Sequence, residues 1–139
     1  MKGGVVMAIE FRFDPENKSI FIGEPEKELS LTSDEETLLE TVCSFIADHV
    51  DVSMLGIEKR SNDYISIIYG GMNDFLRFKY TSRTKWISLR LPIPLQKENE
   101  NNPLFSAQKN KRQLHWKASL SSLDDLEALK PFIIASCVP

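Results

Sequence analysis

The sequence predicts an α+β fold: an antiparallel sheet of about five strands arranged as a meander, with two helices on one face and an N-terminal β-hairpin. Three observations predict it. Residues 54–91 alternate apolar and polar side chains in short runs cut by the turn clusters RSND (60–63), GGMND (70–74) and TSRT (81–84), so successive strands pair antiparallel through short loops. Segments on either side, 32–50 and the one after Ser122, carry apolar residues at spacings of three and four. The 139 residues, 42% of them apolar, suffice for one domain whose core needs neither disulfide nor metal.

Residues 1–6 (MKGGVV) read as a disordered leader ahead of a second methionine, so the single domain is expected to span 7–139. Ile9, Phe11 and Phe13 alternate with Glu10 and Arg12, DPENK supplies a turn, and Ile20–Ile22 resumes an apolar strand, giving a hairpin that either extends the sheet or forms a flap. Ser33 followed by Glu36 predicts a capping box opening a helix over 32–50. Its Leu38, Leu39, Val42, Cys43, Phe45, Ile46 and Val50 form one apolar stripe, with Glu35, Glu36, Glu40 and Asp48 elsewhere.

Strands follow at about 54–59, 64–69, 75–80 and 85–91. PIP (92–94) stops the fourth, and 95–102 (LQKENENN) reads as a mobile loop. Asn102-Pro103 signals an N-cap and first turn for a short helical segment over 104–109. Leu114, Trp116, Ala118 and Leu120 alternate with Gln113, His115, Lys117 and Ser119 as a fifth strand. Ser122 with Asp125 caps a final helix, which Pro131 is expected to kink or restart.

No apolar run reaches the roughly 18 residues that a membrane span needs. The two cysteines, Cys43 and Cys137, form no CxxC pair and have no histidine at a ligand spacing, which fits free thiols in a reducing, cytoplasmic setting. The net charge of -3 conceals a segregation: residues 1–53 carry 4 Lys+Arg against 12 Asp+Glu, residues 54–120 carry 12 against 5, and the last 19 carry 1 against 3. A positive middle in an acidic chain suggests an anionic partner for that segment, an acidic surface elsewhere, or mutual cancellation across the folded domain.

Catalytic and metal-binding patterns are weak. His49 with Asp48 and Asp51, or His115, are the only metal candidates, and neighbours on a helix diverge while no second histidine stands at i+4, so no metal or cofactor is expected. No GxSxG elbow is present, Cys43 lies on the apolar stripe as a core thiol, and Gly70-Gly71 lacks the Lys-Ser/Thr of a phosphate loop and reads as a turn. A nuclease-like metal site would need a carboxylate two places before Lys79, where Arg77 stands, while Glu58 is adjacent to Lys59; Asp63 and Asp74 read as turn residues.

What survives is a surface. If the helices cover the face bearing Leu76, Phe78, Ile87, Leu89, Leu114 and Trp116, the opposite face presents Arg77, Lys79, Trp86, Arg90, His115 and Lys117, with Lys109, Lys111 and Arg112 of KNKR at its edge. Cations beside an indole suit a non-enzymatic protein-interaction module; the alternative is single-stranded nucleic acid or another polyanion, through phosphate neutralisation and base stacking. A lone outward tryptophan also serves as a platform under Lys and Arg stems, with no partner at all. No motif sets an oligomeric state.

FLRFKY (75–80), KWISLRLP (85–92), QLHWKASL (113–120) and SLDDLEALKPFI (122–133) together resemble a small uncharacterised bacterial α+β domain of unknown function, over roughly the last two thirds of the chain. The resemblance implies architecture alone, a helix, an antiparallel sheet and a closing helix, and supplies no catalytic residue.

Overall fold

A computed structural model describes residues 6–9, 11–22, 31–60, 64–70, 74–106 and 115–137. Its chain order is β1 (Val6–Ile9), β2 (Phe11–Asp14), β3 (Ser19–Ile22), α1 (Ser33–Ile46), β4 (Leu55–Arg60), β5 (Ile65–Tyr69), β6 (Asp74–Tyr80), β7 (Lys85–Arg90), α2 (Ile93–Glu98), β8 (His115–Ser119) and α3 (Leu126–Cys137). The class is α+β, as the strand and helix periodicities require. Strands β4 to β8 form the expected five-stranded antiparallel meander, and β1 adds a sixth strand against β4. That strand begins at Val6, inside the segment assigned to a leader. The hairpin β2–β3 is a separate two-stranded sheet beside β4 and α1, so β1, and not the hairpin, extends the main sheet.

Register explains the core. On the inner face Ile57, Ile67, Leu76, Leu89 and Trp116 stand opposite one another across five strands, and the next row is Lys59, Ile65, Phe78, Ile87 and Ala118. All ten are buried. Helix α3 lies on β6 and β7, and α1 packs on α3 and the hairpin through Leu38, Leu39, Val42, Cys43 and Ile46, all fully buried. Apolar positions at period two on strands thus meet apolar positions at period 3.6 on helices, which is the condition for one continuous core.

The lysine in the second row has a partner. Lys59 Nζ lies 3.3 Å from Glu35 Oε1 on α1, with both side chains almost wholly buried. That same Glu35 oxygen accepts from the Thr32 amide at 2.8 Å, while Thr32 Oγ1 accepts from the Glu35 amide at 3.1 Å. The capping box is therefore Thr32 with Glu35, one residue earlier than Ser33 with Glu36, because only Glu35 faces both the helix start and β4. The regular helix ends at Ile46, short of the expected Val50.

Three further expectations are corrected. Residues 93–98 are helical, although 95–102 were expected as a mobile loop: Pro92 at φ -58° and Pro94 in the first turn suit a helix start, and Gln96 Nε2 donates to the Leu91 carbonyl at 2.9 Å. Asn102 Oδ1 accepts from the Leu104 amide at 2.9 Å and closes a turn, with no helix following through 106; residues 107–109 lie outside the described set. Pro131 sits inside a continuous α3, behind a 3-10 turn (Leu123–Asp125) that Ser122 and Asp125 cap as expected. Gly70 has φ +65°, the left-handed value that a glycine takes without strain, which accounts for it as a turn residue.

Candidate functional site

The outer face of the sheet, opposite the helices, carries the candidate residues. Its central row is Glu58, Ser66, Arg77, Ser88 and Lys117, paired in that order across β4 to β8. Ser66 and Ser88 are buried because they are short and their cross-strand neighbours are long. Two further pairs flank the row: Lys79 faces Trp86, and Arg90 faces His115.

These residues separate into two groups. One is aromatic and cationic. Trp86 is half-buried, Lys117 Nζ stands 4.6 Å from its ring centre, and the Tyr64 ring lies 6.2 Å away, tilted by 40°. The Arg77 guanidinium lies 6.0 Å from the Tyr64 ring, and Lys79 is half-buried beside Trp86. Lys117 is exposed. Trp86 thus stands outward as the strand alternation required, but it is a clamped platform and not a free plane.

The other group surrounds Asp74. A register shift between Ile67 and Ile68 places Asp74 opposite Ile68, and its carboxylate accepts from Arg77 Nε and Nη2. His115 Nε2 lies 3.6 Å from Asp74 Oδ1, reaching from β8 across the intervening β7. That distance is slightly beyond ideal hydrogen-bond reach. Burial by itself would raise the Asp74 carboxyl, but His115 and Arg77 outweigh it, with Ser66 adding to them, and hold the group well below the usual carboxylate range. Ser66 does this from nearby, without a hydrogen bond of good geometry. Arg77, expected as a free cation of the surface, is therefore largely consumed by Asp74.

Four buried polar side-chain atoms among the described residues have no hydrogen-bond partner: Ser66 Oγ, Arg90 Nε and both ring nitrogens of His115. All belong to this cluster. Lys109, Lys111 and Arg112, expected at its edge, lie outside the described residues. Sequence reasoning missed Asp74, assigned to a turn, and Tyr64. The signal for the first was an acid at the head of an apolar strand with an arginine three places on; the second had none beyond aromatic character.

Other groups offer little chemistry. Cys43 and Cys137 are free and buried, and burial pushes their thiols up to about 12 and about 11. Among the described residues no set of three or more His, Cys, Asp or Glu could hold a metal ion, and no helix is long and apolar enough to cross a membrane. A groove of about 290 Å³ runs between residues 103–106, β8 and α3, lined by Leu104, Phe105, Ala118 and Leu129 with Asp125 as its one charged residue among the described residues. Phe105 floors this region, edge-on to Trp116 at 5.8 Å and to Phe132 at 5.2 Å. Comparison of the chain with protein-family models, with curated proteins and with solved structures gives no match.

Proposed function

We propose that the chain is a non-enzymatic protein-interaction module whose outer sheet face receives an acidic segment of another protein. The observation that carries this reading is the Trp86 cluster: a half-buried indole held between Lys117 and Tyr64, with Lys79 directly across from it. Rigid aromatics flanked by cations are the composition of an interface anchor, where tryptophan, tyrosine and arginine dominate the binding energy. Lys117 over the ring leaves less of the indole for a stacked base than an unencumbered tryptophan would, which favours a protein over single-stranded nucleic acid. Proton-transfer chemistry has little to draw on, since Asp74 is held ionised by Arg77 and both thiols are held protonated.

The test is fluorescence anisotropy with two labelled probes of matched charge, an acidic peptide carrying one aromatic residue and an oligo-dT strand. The peptide should bind saturably, and Trp86→Ala should weaken it by about 2 kcal/mol or more, the loss typical of an interface anchor. Tight oligo-dT binding that falls by roughly 1 to 3 kcal/mol in Trp86→Ala, with a steep salt dependence, would replace this reading with the polyanion one.

A further inference from the structure

Arg90 is a cation without a counterion among the described residues. Its Nε is wholly shielded from solvent, it has no hydrogen bond and no ion pair among the described residues, and the nearest carboxylate in its cluster, Asp74, already accepts from Arg77 through both oxygens. Directly across the β7–β8 ladder stands His115, whose two ring nitrogens are equally shielded and equally without a hydrogen bond. Buried donors left unpaired each cost about 1 to 3 kcal/mol, so folded proteins keep very few of them. Here the described residues concentrate them in one cluster. Ser66 and His115 Nε2 have the Asp74 carboxylate beside them, the latter at 3.6 Å, whereas Arg90 Nε and His115 Nδ1 have no partner among the described residues.

From this juxtaposition we propose that Arg90 and His115 form a recognition site for a single oxyanion group, a carboxylate or a phosphate. A guanidinium offers its Nε and Nη protons as a planar fork that matches two oxygens of such a group, and an imidazole N–H adds a further donor from the opposite strand. Asp74, Arg77 and Arg90 together carry one net positive charge, so the cluster still attracts an anion although one carboxylate belongs to it. Arg90 is half-exposed as a residue and the His115 side chain is 12% exposed, so entry needs side-chain rotation and no change of backbone. The proposal rests on the outer face being an interaction surface and specifies its chemistry: the site reads one acidic group at the end of the face opposite Lys79 and Trp86 along the strands.

The experiment is ¹⁵N NMR of the Arg90 Nε–H and the His115 ring nitrogens in the full chain, titrated separately with sodium acetate and with inorganic phosphate, against sodium chloride at equal ionic strength. Saturable shifts of both residues with acetate, phosphate or both are expected. Acetate alone points to a carboxylate source, phosphate alone to a phosphate source. Arg90→Gln should abolish the His115 response, and Arg90→Lys, which keeps the charge and loses the fork, should weaken it about 10- to 100-fold, the range of one charge-assisted hydrogen bond. Far-UV circular dichroism identifies the variant that remains folded, and either one decides. Shifts no larger than those in chloride, or a His115 response that survives in a folded Arg90 variant, would overturn the site. An acidic peptide that binds through Trp86 while Arg90 and His115 stay silent would overturn the site alone and leave the interaction reading standing. Saturable anion shifts without peptide binding would support the site and remove that reading.

Discussion

Replacing Lys59 by methionine should cost about 3 to 5 kcal/mol of folding stability, the usual loss when a buried ion pair is broken on one side. The Glu35 and Lys59 side chains are 3% and 7% exposed, so neither charge retains water to fall back on. At their separation of 3.3 Å, two unit charges attract by about 5 kcal/mol if the effective dielectric is near 20. Methionine preserves most of the lysine's volume, so repacking adds less than about 1.5 kcal/mol, and the loss reports the stranded carboxylate. Glu35→Gln in the same chain removes that stranded charge while its amide oxygen still accepts from the Thr32 amide. The double variant should therefore recover most of the stability. Urea unfolding followed by circular dichroism, run over all four corners of the cycle, should give a coupling of at least about 2 kcal/mol between the two positions. For a domain whose total stability is about 5 to 15 kcal/mol, the single variant loses about a fifth or more, and at about 4 °C per kcal/mol the midpoint falls by about 12 to 20 °C. A Lys59→Met loss below about 1 kcal/mol, or a cycle that is additive, would refute the reasoning.

Asp74 gives a pH dependence of defined sign. Its carboxyl is depressed in the folded protein, so its contribution is complete above the unfolded value near 3.9 and is lost as pH falls from there toward the lower folded value. Stability curves measured from pH 5 to 2 should be visibly flatter in Asp74→Asn than in the parent, and curves of equal slope would count against the Arg77 and His115 contacts. The two thiols should resist a disulfide reagent at pH 8 in the native protein and react at once in guanidinium, because burial keeps both protonated; prompt native reaction of either would contradict the packing. Pro131→Ala should stabilise by about 1 to 2 kcal/mol, since an exposed mid-helix proline leaves one carbonyl a turn earlier without its intrahelical donor. A lower melting temperature for that variant would mean the ring packs better than its exposure suggests.

The meander was legible because its two periodicities agree: Leu76, Phe78 and Tyr80, then Ile87, Leu89 and Leu91, fall on one face by simple alternation, and the helices offer matching stripes. Long-range pairing was not. Nothing local in Val6–Ile9 marks β4 as its partner, and a stretch beginning MKGGVV looks like a leader until another strand claims its backbone. Caps were misplaced by one residue where two hydroxyls, Thr32 and Ser33, stand side by side, and the choice between them depended on Lys59, which pairs with Glu35 24 positions before it. Helix α2 was hidden by its own prolines, which end a strand and begin a helix equally well. On the outer face the positions were legible and the pairings were not: alternation predicts that Arg77 points outward but says nothing about the register shift that gives it Asp74.

That distant pairing has a consequence for how the edge of the main sheet is protected. Strands β4 to β8 meet their neighbours through short turns, whereas β1 reaches β4 only after the hairpin and α1 have been traversed in the chain. Local contacts form early and remote ones late, so the meander can assemble while the free side of β4 still presents a row of bare amides and carbonyls. Such a row is a template for any passing strand. At the far rim, β8 is only five residues long and carries the exposed Lys117, a poor template. The four residues of β1 thus replace the six-residue edge of β4 with a shorter one, and the interval before they seat is when one copy is most prone to zip onto another.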